Sequence, residues 1–161
     1  MSATTGPAPR VAFHAPMKPP DHPTPSGDRQ IARLTIRALE LAGFAVSQPS
    51  RLRSLEMAGD AAAQARLRAA AAAEIARLGA APAPPPHLWF TYHCYWKAPD
   101  LIGPALARRW GIPYVISEPS LAPRRLAGPW AGFAASAADA IASAVTAGPR
   151  GGSAGPPAAV P

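Results

Sequence analysis

The sequence predicts an α/β domain, an open parallel sheet with helices on both faces, and three observations carry that expectation. Short apolar segments suited to strands alternate with longer amphipathic segments suited to helices, strand then helix, four times over. Glycines stand where the helical segments stop, at Gly43, Gly79 and Gly111, as left-handed cap positions favour. The segment Leu88–Tyr92 (LWFTY) is rich in aromatics and apolar on both faces, which suits a central parallel strand.

Taken in order, Arg10–His14 (RVAFH) is a short apolar run stopped by Pro16 and reads as a buried first strand. A proline-rich loop, Ala15–Gly27, leads to a helix that opens at Ser26-Gly27-Asp28, where Ser26 or Asp28 can accept from orphan N–H groups. Ile31, Leu34, Ala38 and Leu41 recur at three- to four-residue spacing and are expected to form its buried stripe. Phe44–Ser47 is a second strand. Asp60 is the expected N-cap of a long alanine-rich helix with a stripe of Leu67, Ala71, Ile75 and Leu78. Ala81–Pro86 is an extended linker before the LWFTY strand. Asp100 is expected to start a helix running to about Trp110, Ile112–Ser117 (IPYVIS) to form the fourth strand, and a last helix to run from about Trp130 to Ala144.

Composition sets the limits. At 161 residues the chain suits one domain, and alanine supplies much of its 48% hydrophobic content, so the core should be modest. The 22 prolines and 13 glycines gather before Asp28, between Ala81 and Pro86 and after Gly148. Residues 1–9 therefore read as a disordered leader, 10–145 as the folded domain and 146–161 as a disordered low-complexity tail. The formal charge is +7, but the basic residues are spread over helix faces, with doublets only at Arg108-Arg109 and Arg124-Arg125. No DNA- or RNA-binding motif accompanies them, so a nucleic-acid partner is not expected. Arg124 and Arg125 precede apolar Trp130 and Phe133, which leaves a peripheral membrane contact open. The lone Cys94 cannot form an internal disulfide, and MSATTGPAPR has no apolar leader core, which together point to the cytoplasm.

In an open parallel sheet the ligand crevice lies beyond the carboxyl ends of the strands, so the residues just after each strand are the candidates. Gly27 at a helix start allows close backbone approach to a phosphate, which the free N–H groups and helix dipole favour, and Arg29 could add a bidentate contact. His93 stands where the LWFTY strand leaves the sheet. Lys18, Asp21 and His22 lie on the stiff proline-rich loop, and Tyr95, Lys97, Glu118 and Arg124 flank the same opening. A local ion pair between Glu118 and a following arginine is the plainer reading of that pair. Cys94 beside His93 does not form a thiol–imidazole couple, because neighbours on an extended chain point to opposite sides. No CxxC, HExxH, Walker or GxGxxG pattern is present, so metal, P-loop and dinucleotide sites lack support.

The segments VAFHAPMKPPDHPTPSGDRQIARLTIRALELAGFAV and LWFTYHCYWKAPDLIGPALARRWGIPYVISEPSLAPRR resemble the amino-terminal domain of bacterial retaining glycosyltransferases of the GT-B fold. The likeness spans residues 10–142 and rests on the Ser-Gly-Asp-Arg helix start, the strand ending in Thr-Tyr-His and the strand ending in Ser-Glu-Pro-Ser. It implies a Rossmann-like, acceptor-side domain. The Gly27 loop, with Arg29, would abut the diphosphate of a nucleotide-sugar, and His93 would stand near the donor sugar as the catalytic candidate. Lys18, Asp21, His22, Tyr95, Lys97, Glu118 and Arg124 would meet the acceptor.

The nucleotide-sugar would be a co-substrate, and no cofactor is implied. Members of that family carry a second, donor-binding domain, for which these residues leave no room, so activity alone should be weak or absent. A separate donor domain is then an implied partner. A non-catalytic module binding a glycan or a partner enzyme is the alternative, and a basic polyanion- or membrane-surface binder a third.

Overall fold

A computed structural model of the protein describes residues 6–81 and 83–146; the leader to residue 5 and the tail from residue 147 lie outside the described residues. Four strands, β1 (Arg10–His14), β2 (Ala45–Ser47), β3 (Leu88–Tyr95) and β4 (Tyr114–Ser120), form one sheet in the order β2-β1-β3-β4 with every pair parallel. Four α-helices alternate with them: α1 (Gly27–Leu41), α2 (Ala61–Gly79), α3 (Gly103–Trp110) and α4 (Ala131–Thr146). The α/β fold with an open parallel sheet is therefore present, and its arrangement is Rossmann-like.

The two faces of the sheet are covered unequally. On one side Ala12, Trp89 and Tyr114 pack against Ala71 and Leu78 of α2, Leu106 and Ala107 of α3, and Ala137 and Ala140 of α4. On the other, α1 alone meets the sheet, with Ala32, Ile36 and Leu39 against Phe13, Ala15, Phe90 and Tyr92. The stripe expected on α1 is corrected here. Ile31, Leu34, Ala38 and Leu41 face solvent, and the helix packs through the small Ala32 instead. Both spacings fit a helix, and Ala32 wins because it lets α1 approach Phe13 and Tyr92 closely.

The caps largely follow expectation. Ser26 Oγ accepts from the Arg29 N–H at 3.2 Å, Asp60 Oδ1 from the Ala63 N–H at 2.9 Å, and Gly111 closes α3 in the left-handed region at φ 64°. The start of α3 differs. It begins at Gly103 rather than Asp100, because Asp100 is drawn inward as the hub of a buried polar network. Its Oδ1 accepts from the Ile102 and Gly103 N–H groups at 2.9 and 2.8 Å. Its Oδ2 accepts from Thr91 Oγ1 at 2.5 Å, the Tyr114 hydroxyl at 2.9 Å and the Trp89 indole N–H at 3.3 Å. A Cβ on Gly103 would run into that carboxylate, the Trp89 indole nitrogen and the Tyr114 ring, so only glycine fits.

His14 closes the network, with Nε2 3.9 Å from Asp100 Oδ1 and a buried Nδ1 that has no hydrogen-bond partner. Burial lowers the His14 pKa against the opposing pull of Asp100, the Ser50 carbonyl and Glu74. β3 and β4 also run further than expected, through Tyr95 and Ser120, and both strands carry a left-handed residue in their extensions.

Candidate functional site

The left-handed residues are His93 at φ 59° and Glu118 at φ 55°. Tyr92 pairs with Ser117 and Cys94 with Pro119, so the two kinks stand side by side on adjacent strands. A side chain in that region costs about 1–3 kcal/mol, which surrounding contacts must hold in place. The kink also breaks the strand's alternation. Trp89 and Thr91 are fully buried, yet Cys94 is too, while His93 is part-exposed at the strands' carboxyl ends.

There His93 Nδ1 lies 2.8 Å from Asp28 Oδ1, with side chains 25% and 28% exposed. A carboxylate oxygen accepts, so the ring N–H at Nδ1 is the donor in this bond. Asp28 sits in the first turn of α1, where the helix dipole favours its charge. Two aromatic rings flank the pair. The Tyr95 ring centroid is 5.3 Å from that of His93, and Tyr92 meets His93 edge-on at 5.8 Å. Burial, then Glu118 and Asp28, push the Tyr92 hydroxyl up to about 12, so it stays neutral.

Of the expected residues, His93 and Tyr95 stand together at the strand end, Glu118 lies beside His93 on the adjacent strand, and Gly27 at the start of α1 is exposed with open space where a side chain would stand. Glu118 forms no ion pair with Arg124 or Arg125 among the described residues, so the local salt-bridge reading is corrected. Cys94 is fully buried and its thiol is pushed up to about 12 by burial, which removes it as a nucleophile.

The other candidates go elsewhere. Arg29 Nε donates to the Pro20 carbonyl at 3.3 Å and lines an open cleft of about 460 Å³ with Asp21, Arg33 and Gln48. Asp21 pairs with Arg51, and His22 Nδ1 accepts from the Thr24 N–H at 3.2 Å, so both shape the proline-rich loop. Lys18 is half-buried with no ion pair among the described residues. Lys97 lies over Trp96 and Trp130, and Arg124 is exposed on a short 3-10 turn, Pro123–Arg125. No group of His, Cys, Asp and Glu among the described residues is arranged to hold a metal ion.

Two features went unread in the sequence. Asp28 was visible only as a cap, because its partner lies 65 residues away. The signal for Asp100 was its place after the strongest strand and three residues before a glycine.

Fold and site thus define an α/β protein whose parallel sheet carries a hydrogen-bonded His93–Asp28 pair at its strand ends, next to the N-terminus of α1. No protein-family model, curated protein sequence or solved structure matches the chain.

Proposed function

We propose that this chain is the acceptor-side half of a GT-B type glycosyltransferase, handling sugar hydroxyls at the crevice around His93. The observation that carries the reading is the His93–Asp28 hydrogen bond at the strand ends. It orients the imidazole through Nδ1, and the part-exposed ring leaves Nε2 as the group proposed to meet the sugar. Sugars are recognised by carboxylates, imidazoles and phenols that pair with adjacent hydroxyls, and Asp28, Glu118, Tyr92 and Tyr95 supply these groups around His93. In transfer, the bond from the anomeric carbon to the diphosphate oxygen breaks and the acceptor oxygen bonds that carbon. The acceptor proton leaves with the diphosphate. His93 is the proposed catalytic residue through its contact with the donor sugar, and Asp28 a positioning residue.

Gly27 is exposed in the first turn of α1, which suits a phosphate, but the Asp28 carboxylate opposes that charge. Most of the diphosphate neutralisation therefore falls to a donor-binding domain. That same carboxylate favours a second reading, a module that binds a glycan without transferring it, since the hydroxyl-binding groups are complete within this chain.

The test pairs the full chain with a compatible donor domain and measures sugar transfer alongside ligand NMR of the chain alone. Transfer should appear and fall about a hundredfold in His93→Ala, the scale of losing one oriented contact. A folded pair that stays inactive, with a glycan still bound at the His93 crevice, would favour the second reading. No binding of sugar or nucleotide-sugar in either experiment sinks both.

A further inference from the structure

Beside the crevice, three segments converge on a rim of different chemistry. Trp96 and Trp130 meet edge to face with centroids 5.2 Å apart at 90°. Lys97 Nζ lies 4.9 and 4.6 Å from the two ring centroids, and Arg125 Cζ 4.7 and 5.7 Å. The loop before α2 completes the rim: Lys97 Nζ donates to the Met57 carbonyl at 3.4 Å, and the Trp130 indole N–H to the Glu56 carbonyl at 3.5 Å. Met57 and Leu121 are each 60% exposed and Leu126 52%. Leu121 directly follows Ser120, which pairs with Tyr95 next to Trp96, and Leu126 directly follows Arg125.

The cations here are not spent on local acids. Glu56 is buried, its oxygens taken by the Ala58 and Gly59 N–H groups and by Gln64. Asp60 caps α2, and Glu118 forms no ion pair. Lys97, Arg124 and Arg125 therefore have no carboxylate partner among the described residues. With cations over both indoles, the ring faces are not open for stacking a sugar. Indoles, paired cations and isolated protruding aliphatic chains instead match the headgroup layer of a bilayer, where amphipathic rings settle and basic side chains meet lipid phosphates.

We infer that this rim, Met57, Trp96, Lys97, Leu121, Arg125 and Leu126, docks on an anionic membrane surface. Loops enter the interface, the aliphatic side chains reach below the headgroups, and the cations bind lipid phosphate. The crevice around His93 then opens close to the lipid surface. This docking stands or falls independently of the sugar-transfer reading, since it uses none of that site's groups.

The experiment is co-sedimentation of the full chain with phosphatidylcholine vesicles, with and without 30% phosphatidylglycerol, a fraction on the order of a natural anionic leaflet. Binding should need the anionic lipid and weaken as salt rises. Leu121→Gln with Leu126→Gln keeps every charge and replaces only exposed side chains, and it should weaken binding about tenfold or more. Vesicles with brominated acyl chains should quench tryptophan fluorescence in the parent chain and not in Trp96→Phe/Trp130→Phe. No binding to anionic vesicles overturns the inference. So does binding that the leucine variants leave unchanged and that soluble heparin or inorganic phosphate competes away, which would make the rim a generic polyanion patch. Quenching that survives loss of both tryptophans would equally overturn it.

Discussion

Among the described residues stand two Asp–His pairs, and they differ in almost every respect that decides what such a pair does. His14 and Asp100 are sealed in the core, 3.9 Å apart, with the carboxylate saturated by five other donors. His93 and Asp28 are bonded at 2.8 Å at the rim, a quarter exposed, on a backbone held in the left-handed region. The first pair has its hydrogen-bonding capacity turned inward, where it ties β3, β4 and the start of α3 together. The second keeps its ring part-exposed. Burial and donor count, rather than residue type, separate an architectural carboxylate from one that can serve a ligand.

The sharpest way to break that comparison is Asp100→Ala. It strands three buried side-chain donors and two amides, and should cost about 3–5 kcal/mol in urea unfolding, the scale of orphaning a buried charged network. A loss below 1 kcal/mol would show that the network does not organise the fold. Gly103→Ala forces a methyl into the same carboxylate and should cost about 1–3 kcal/mol by overpacking.

His14 and Glu74 separate the pair by pH. The folded state lowers the His14 pKa, so below the ordinary value of 6.5 the unfolded chain takes a proton that the folded one resists. Stability should fall as pH drops through that region, and His14→Gln should flatten the dependence in thermal melts. Glu74 is held at about 2, chiefly by Arg77, so its contribution is present above 4.5 and lost as pH falls from 4.5 toward 2. Glu74→Gln should remove that lower step while leaving the upper one.

At the open pair, Asp28→Asn and His93→Ala should leave stability within about 1 kcal/mol, because neither strands a buried group. On the proposed reading their effect belongs in ligand binding, and a large stability loss in either would make the rim pair architectural. The smallest effect is expected at the exposed Asp21–Arg51 pair. Arg51→Ala should cost about 0.2–1 kcal/mol and less in high salt, as measured by denaturant titration.

The segmentation of the chain was legible without coordinates. Strand length, cap residues such as Ser26, Asp60 and Gly111, and the all-apolar Leu88–Tyr92 run are local signals, because backbone geometry and hydrogen-bond satisfaction within a few residues produce them. His93, Tyr95 and Glu118 could be marked because a parallel sheet puts its opening at the strand ends. What only the tertiary structure decided was pairing and facing. Either stripe of α1 could have been buried, and the close approach of Ala32 to the sheet chose one. Asp28 reads locally as a cap and Asp100 as a helix start, yet partners from other elements make one the orienting group of a rim histidine and the other the hub of the core. The first role rests on a contact 65 residues away in sequence and the second on side chains of two neighbouring strands, which packing brings together and no local periodicity records.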